Sequence, residues 1–425
     1  MTETPDQDQP SIVFLGGVFL PSQHESILQH SHGVVQNAAD ALQKAFLRGF
    51  AAHRPGKVKL VNLPFVGSYP RMYDQIRFPG CHDSLPPGIE ANGEGFMNLR
   101  FIRFWTRFFS AYRGLRRAVG TLRSPVIVVY SAHLPFLAAA RLVGFFRKDA
   151  FLSVILPDLP EFMGVGGRLY VTYKAIESFL FRKIVRGFDS FVFLTDAMGE
   201  RLEIPLAKRI VVEGIFDTKD DPKGTEVGPQ DEDGFNILYT GTLAARYGIV
   251  DLLTAFEGFS RNDARLWICG DGDTRSVIEN LAQRDPRVRY FGQVPRAKAL
   301  ALQRAASVLV NPRRPEGEFT KYSFPSKTME YLASGKQVIM HGLPGIPPEY
   351  LKYLTIPATP DAAGITQALR DVSAMAPNAR DARGAMARAF ILSEKSPDAQ
   401  VARVLDLWAE LRDGGPRQKI AASRS

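Results

Sequence analysis

The chain is poor in the features that mark a secreted or metal-dependent protein. Its 425 residues include two cysteines, Cys81 and Cys269, one in each half. No disulfide framework is implied, and a reducing cytosol is the simplest setting. Neither cysteine carries a catalytic signature. The seven histidines do not combine with them at metal-ligand spacing, so no metal or other cofactor is expected. The first ten residues, MTETPDQDQP, are polar and acidic, which does not read as a signal peptide. No long apolar run is uninterrupted. The strongest, 126–146, contains Ser131, His133, Pro135 and Arg141, which would sit at hydrocarbon depth in a membrane span. It reads instead as a strand, a loop and a helix. No solenoid repeat is present.

What is there belongs to a globular chain: 45% apolar residues, 23% charged residues and 29 phenylalanines. The length suits two cores. The net charge of +9 calls for an anionic partner: nucleotide phosphates, an anionic membrane or nucleic acid. In the first half, SIVFLGG is a strand running into a glycine loop, followed by a helix at 34–48. Strands are expected at 58–63, 125–130, 151–156, 190–194 and 209–212, with helices at 137–146 and 170–186. Apolar runs without strict alternation suit a parallel sheet covered on both faces. At 218–234 the composition turns to Asp, Glu, Lys, Gly and Pro, which reads as a linker.

A second alternation of strand and helix follows from 236 to 340. The expected division is an N-terminal Rossmann-like domain at 1–217 and a second at 235–395. A helix at 396–412 can return to the first domain, and 413–425 forms a basic tail.

The most informative segments, in order, are YTGTLAARYG, LWICGDGD, VRYFGQV, ASVLVNP and KYSFPSKTMEYLASGKQVI. Together they resemble the C-terminal domain of retaining, nucleotide-sugar-dependent glycosyltransferases with the GT-B fold, the family 4 type. The likeness covers 237–345, and the Gly16–Gly17 loop and the VYSAH stretch add to it. FPSKTMEYLASG followed by HGLPGIP looks most like bacterial enzymes that build capsule, exopolysaccharide or lipopolysaccharide. The resemblance implies an α/β protein in which two Rossmann-like parallel-sheet domains face a central cleft. It also implies a UDP- or GDP-linked sugar donor and retention at the anomeric carbon.

On the donor side, Gly241 lets the chain turn and present N–H groups to a phosphate, though any strand-to-helix turn tolerates a glycine. Gly270 in the turn Gly270–Asp271–Gly272 is open to the same two readings. Arg246 has the forked donors that a diphosphate accepts. Glu330 lies on a helix among apolar residues and needs a partner or solvent. The resemblance assigns it to the ribose hydroxyls; the alternative is a helix-surface glutamate. Lys327 at the same helix start would oppose the helix field unless an anion such as diphosphate neutralises it. Ser326 and the N–H groups of 324–327 face the same phosphate, and Val294 lies in the stretch that contacts the base. Three positions depart from the family pattern. Tyr322 replaces a glutamate near the transferred sugar, a role that Glu316 or Glu318 could share. Tyr247–Gly248 replaces Lys–Gly, and Pro325 replaces a glycine and removes one N–H.

On the acceptor side, Gly16 and Gly17 follow the first strand. His133 follows the 125–130 strand, where ligand-binding residues collect in open parallel sheets. The resemblance has His133, the one candidate catalytic residue, contact the transferred sugar; a solvated loop histidine is the alternative. Asp158 and Glu161 can bind sugar hydroxyls or cap the following segment. Segment 98–123 carries seven arginines, no acid, and Phe101, Phe104, Trp105, Phe108 and Phe109. As a helix it can lie on the inner face of an anionic membrane, with Arg103 and Arg107 at the headgroups, where a lipid-linked or glycan acceptor waits. It can equally be a cover helix on the first sheet. No compact nucleic-acid motif is present. Two rivals share the scaffold: a nucleotide-sugar epimerase and a non-catalytic nucleotide-sugar-binding protein.

Overall fold

The computed structural model describes residues 9–32, 35–100, 102–162, 168–220 and 234–413. The chain divides into two compact units, one of residues 1–215 with 397–425 and one of residues 216–396. Most of the 218–234 segment, the 414–425 tail, Val34 and Phe101 lie outside the described residues.

The first unit holds β1 (Ile12–Gly16), β2 (Val58–Asn62), β3 (Arg77–Phe78), β4 (Cys81–Leu85), β5 (Ile89–Gly93), β6 (Phe96–Met97), β7 (Val126–Tyr130), β8 (Phe151–Leu156), β9 (Ser190–Phe193) and β10 (Arg209–Val211). Eight of them form one sheet in the order β10-β9-β8-β7-β1-β2-β5-β4. All its pairings are parallel except β4 with β5. The central strands are wholly buried, because helices cover both faces and both alternating sets of side chains must be apolar. The edge strand β4, CHDSL, alternates exposure, so an apolar-run criterion passes over it. The helix Pro21–His30 escapes for a similar reason. It buries only Gln23 and Ile27 and leaves no broad apolar stripe to read.

The helix Pro397–Asp413 packs on the helix Asn37–His53. Gly49 permits this, since a Cβ there would stand 2.4 Å from the Pro397 carbonyl oxygen. Phe50 and Trp408 stack at 5.3 Å, and the Trp408 indole N–H donates to Ser153 Oγ at 3.2 Å beneath the helix. This helix is thus built into the core of the first unit.

The second unit contains β11 (Phe235–Thr240), β12 (Ala264–Cys269), β13 (Val288–Gly292), β14 (Val308–Asn311), β15 (Gln337–Met340) and β16 (Leu354–Thr355). The order β13-β12-β11-β14-β15-β16 is fully parallel and reverses between β11 and β14. This is the doubly wound arrangement whose ligands sit beyond the strand C-termini at the reversal. Successive residues serve opposite cores: Ile237, Leu266, Ile268, Val308 and Ile339 on one face, Leu238, Trp267, Leu309 and Val338 on the other.

The strand ends are laced backbone to backbone. Gly241 N–H donates to Cys269 O at 3.0 Å, and Leu243 N–H to Asp271 O at 3.0 Å. Gly270 has φ +138, and a Cβ there would lie 1.8 Å from the Gly241 carbonyl oxygen. Gly270→Ala is therefore expected to lower stability by about 2–3 kcal/mol, measured as a lower urea midpoint. Gly258→Ala is the control. The nearest atoms to a Cβ there are 3.7 Å away, and the change should stay below about 1 kcal/mol.

Candidate functional site

In the second unit the short helix Lys327–Ala333 is locked against the end of β11. The Tyr331 hydroxyl accepts from Thr240 N–H at 2.8 Å and donates to Thr240 O at 3.0 Å. This anchoring fixes Glu330, one residue before. Gln303 Nε2 donates to Glu330 Oε1 at 2.6 Å and to Thr240 Oγ1 at 3.0 Å, and Lys327 Nζ donates to the same Oε1 at 2.6 Å. Among the described residues both bonds to the carboxylate end on Oε1 and none on Oε2. Burial works to raise the Glu330 pKa. The Lys327 charge and hydrogen bond, the Gln303 bond and the Arg296 field outweigh it and hold the carboxyl below its ordinary value. Lys327 and Glu330, read separately from the sequence, are each other's partner here. The anion that relieves Lys327 at the helix start is the glutamate one turn on. Ser326 precedes the helix in αR conformation without a side-chain cap bond.

The loop after β11 carries Arg246 on a single 3-10 turn, with its guanidinium 5.0 Å from the centre of the Tyr247 ring. The Gly241 N–H, expected to face a phosphate, is already bonded to Cys269. Gly248 closes the turn at φ +78, where a Cβ would lie 2.2 Å from Pro312 O. Arg313, just past β14, was not singled out by motif reasoning. Its guanidinium stands 5.5 Å from the centre of the Tyr247 ring and 4.8 Å from that of Phe319, and it donates to Ser323 Oγ at 3.1 Å. Its Nε is buried without a partner among the described residues. The neighbouring Arg314 instead closes a two-bond pair with Asp251, 2.7 Å in each contact. Two consecutive arginines, one paired and one not, carry no sequence signal that separates them. Glu316 and Glu318 are exposed, and Val294 packs at the margin of the core.

In the first unit the glycine loop is occupied by its own protein. Gly17 N–H donates to Gln43 Oε1 at 2.8 Å, Val18 N–H to Asn62 Oδ1 at 2.8 Å, and Phe19 N–H to Asp40 Oδ1 at 2.7 Å. Gly16 and Gly17 allow this close packing, since a Cβ at either would meet a side chain within 2.7 Å. Glu161 is bracketed by Arg182 and Arg201, one on each carboxylate oxygen. Asp158 lies exposed beyond β8.

His133 holds the most constrained chemistry of this unit. Arg107 is wholly buried, with no carboxylate partner among the described residues. It donates from Nη1 to Pro64 O at 3.0 Å, from Nη2 to Leu63 O at 2.8 Å and from Nε to His133 Nε2 at 3.1 Å. Its guanidinium stands 4.5 Å from the centre of the Phe96 ring and 5.2 Å from that of Phe136. A guanidinium only donates, so His133 Nε2 accepts and the ring proton sits on Nδ1. Burial, then the Arg107 charge, then that of Arg103, press the imidazole pKa well below its ordinary value. His133 is thus a neutral N–H donor, not a proton acceptor.

This also corrects the reading of 98–123. The helix spans Arg103–Val119 and buries Arg107, Ser110, Ala111, Gly114, Leu115 and Val119 against the unit. Arg107 cannot reach a headgroup, because its donors are spent on Leu63, Pro64 and His133. Arg103 is turned to the Val66 carbonyl at 2.6 Å. Phe104, Trp105 and Phe109 remain exposed.

Nitrogen-15 chemical shifts of His133 should report a ring that stays neutral and protonated on Nδ1 well below the ordinary imidazole range. Arg107→Lys should preserve this state, and Arg107→Gln should move the pKa up toward the ordinary value of about 6.5. Because the folded pKa lies below the unfolded one, the unfolded chain takes the proton first as pH falls. The stabilisation is whole above about pH 6.5 and is lost below it. The denaturant midpoint of the parent should drop over that range, and His133→Asn should flatten the drop.

Residues 234–375 match the family described as glycosyl transferases group 1. No curated protein sequence matches the chain. Among solved structures, sucrose-phosphate synthase from Thermosynechococcus elongatus has a TM-score of 0.58 at 16% identity, covering 95% of this chain and 100% of that one. The trehalose-6-phosphate synthase OtsA has a TM-score of 0.62 at 14% identity, covering 93% and 98%. HepE from Anabaena in complex with UDP has a TM-score of 0.56 at 12% identity, covering 94% and 100%. These likenesses show the fold of the chain, and the match at 234–375 shows the nature of its second unit. The chain has the two-unit GT-B fold, and its residues 234–375 form a group 1 glycosyltransferase domain.

Proposed function

We propose that the second unit binds a UDP- or GDP-linked sugar and that the enzyme transfers this sugar with retention. The acceptor is a lipid-linked or glycan molecule used in bacterial surface polysaccharide synthesis. The observation that carries the donor assignment is Glu330: a carboxylate fixed through Oε1 by Lys327 and Gln303, with Oε2 left for the ribose hydroxyls. Lys327, Arg246 and Arg313 supply cations for the diphosphate, and Arg313 takes the place of the family lysine that Tyr247 has displaced. HepE, a structural neighbour, has been crystallised with UDP and with UDP-glucose, which supports a nucleotide diphosphate as ligand class.

In the reaction the bond from the anomeric carbon to the donor phosphate oxygen breaks, and the bond from that carbon to the acceptor hydroxyl oxygen forms. The hydroxyl proton passes to the departing phosphate. Arginine and lysine charges stabilise the diphosphate as it gains charge, the kind of preorganised electrostatics that lowers such barriers. His133, holding its proton on Nδ1, serves as a donor to a sugar hydroxyl. The acceptor side is assigned to the first unit, with Gly16 and Gly17 as scaffold. The exposed Phe104 and Trp105 are assigned to the inner face of the cell membrane. Among the described residues no helix is long and apolar enough to cross a membrane.

Calorimetric titration of UDP, GDP and their bare nucleosides tests the donor assignment. Arg246→Ala and Arg313→Ala should weaken diphosphate binding by about tenfold or more, the worth of one charge-assisted hydrogen bond, with nucleoside binding nearly unchanged. Glu330→Gln should weaken both ligands. Equal losses for diphosphate and nucleoside in the cation variants would assign those residues a structural role. Unchanged nucleoside binding in Glu330→Gln would remove the ribose contact. Incubating the parent protein with nucleotide sugars separates the rivals: release of free nucleotide supports transfer, sugar inversion supports an epimerase, and binding without turnover supports a sensor.

A further inference from the structure

We propose that a groove in the first unit, between the β3–β6 ribbon and the helix Arg103–Val119, binds a phosphate ester carried on a long apolar chain. This rests on the reading of the acceptor as lipid-linked and gives that acceptor a place. The groove measures about 480 Å3 and is lined by Phe78, Phe96, Phe109, Ser110, Arg77 and Arg113, among others, with no acidic side chain in its wall.

The apolar part is built by the fold itself. Phe78 and Phe96 pair across the two-stranded ribbon, and their rings stack at 5.2 Å. Phe109 on the helix leaves 55% of its surface exposed. Gly80 and Gly95 let the two backbones pass closely. A Cβ at either would come within 3.0 Å of the other segment, so both residues contribute to the wall without a side chain.

The charged part consists of two exposed arginines. Arg113 donates to Ser110 Oγ at 3.4 Å, and that hydroxyl in turn donates to Gly95 O at 2.6 Å. Among the described residues neither Arg77 nor Arg113 has a carboxylate partner. The neighbouring Arg117, by contrast, is closed by both oxygens of Glu94 at 2.7 and 2.8 Å. Two guanidinium forks beside an aromatic trough complement a phosphate by their donors and a hydrocarbon chain by their surroundings. A free anion would not need the trough, and a free alcohol would not need the arginines.

The test uses the full chain and farnesyl phosphate, with farnesol, inorganic phosphate and phosphatidylglycerol vesicles as comparison ligands. Farnesyl phosphate should bind at least tenfold more tightly than farnesol or inorganic phosphate. Arg77→Ala combined with Arg113→Ala should cost at least tenfold for the ester and leave the farnesol affinity unchanged. Phe109→Ala should weaken ester and alcohol alike. Nucleoside diphosphate binding by the second unit should be the same in every variant, and an unchanged urea midpoint certifies that the first unit folds. Unchanged ester affinity in the double arginine variant overturns the proposal. So does inorganic phosphate binding as tightly as the ester, which would mark a free-anion site. Vesicle binding without farnesyl phosphate binding also overturns it, as a surface contact. Loss of nucleotide binding in the parent protein would instead count against the donor reading and leave the groove result standing.

Discussion

Both units depend on one constraint: a parallel sheet has to be covered on both faces. Neighbouring strands in the same direction need crossover connections, the connections are helices, and the helices bury the sheet on either side. Polar chemistry is thereby driven out of the layers. In the second unit Leu238 and Tyr239 serve opposite cores on consecutive positions, and at the strand end the Thr240 hydroxyl accepts from Gln303. The functional groups gather beyond the strand ends because the strands themselves have no room for them.

The two units meet the cost of charge at those ends in different ways. Glu330 is paid back locally, by a lysine one turn away on its own helix and an amide from a neighbouring helix, so its carboxylate stays ionised in a largely buried position. Arg107 receives no anion. Two carbonyls, an imidazole nitrogen and aromatic faces satisfy it instead. That arrangement makes His133 an obligate hydrogen-bond donor. A histidine at a strand end invites a reading as base, and the arginine beside it takes away the lone pair a base would use.

Much of the architecture could be read directly. The strands at 125–130, 151–156 and 190–194 and the long C-terminal helix stand, to within one residue, where apolar runs and an amphipathic stripe put them, because each has a strong one-dimensional pattern. The missed elements lack one. The edge strand β4 alternates polar residues, the helix Pro21–His30 buries two side chains, and the ribbon of β3 and β6 has two residues in each strand. Within the donor region, Lys327 and Glu330 were visible as residues but not as a pair. Gln303, 27 positions away, is invisible without the fold.

The sequence by itself determined the layer pattern, the doubling of a Rossmann-like unit and the segment from Gly241 to Glu330 to which we assign the donor. These follow from local periodicity and from residues close together along the chain. Only the tertiary structure decided which polar groups remain available. It spends the Gly17 and Gly241 N–H groups on the protein, closes Arg314 on Asp251 while leaving Arg313 with no carboxylate partner among the described residues, and buries Arg107 against His133. The reason is physical: a hydrogen-bonding group has a fixed number of donors and acceptors, and whether they are used depends on neighbours that the fold brings from distant parts of the chain.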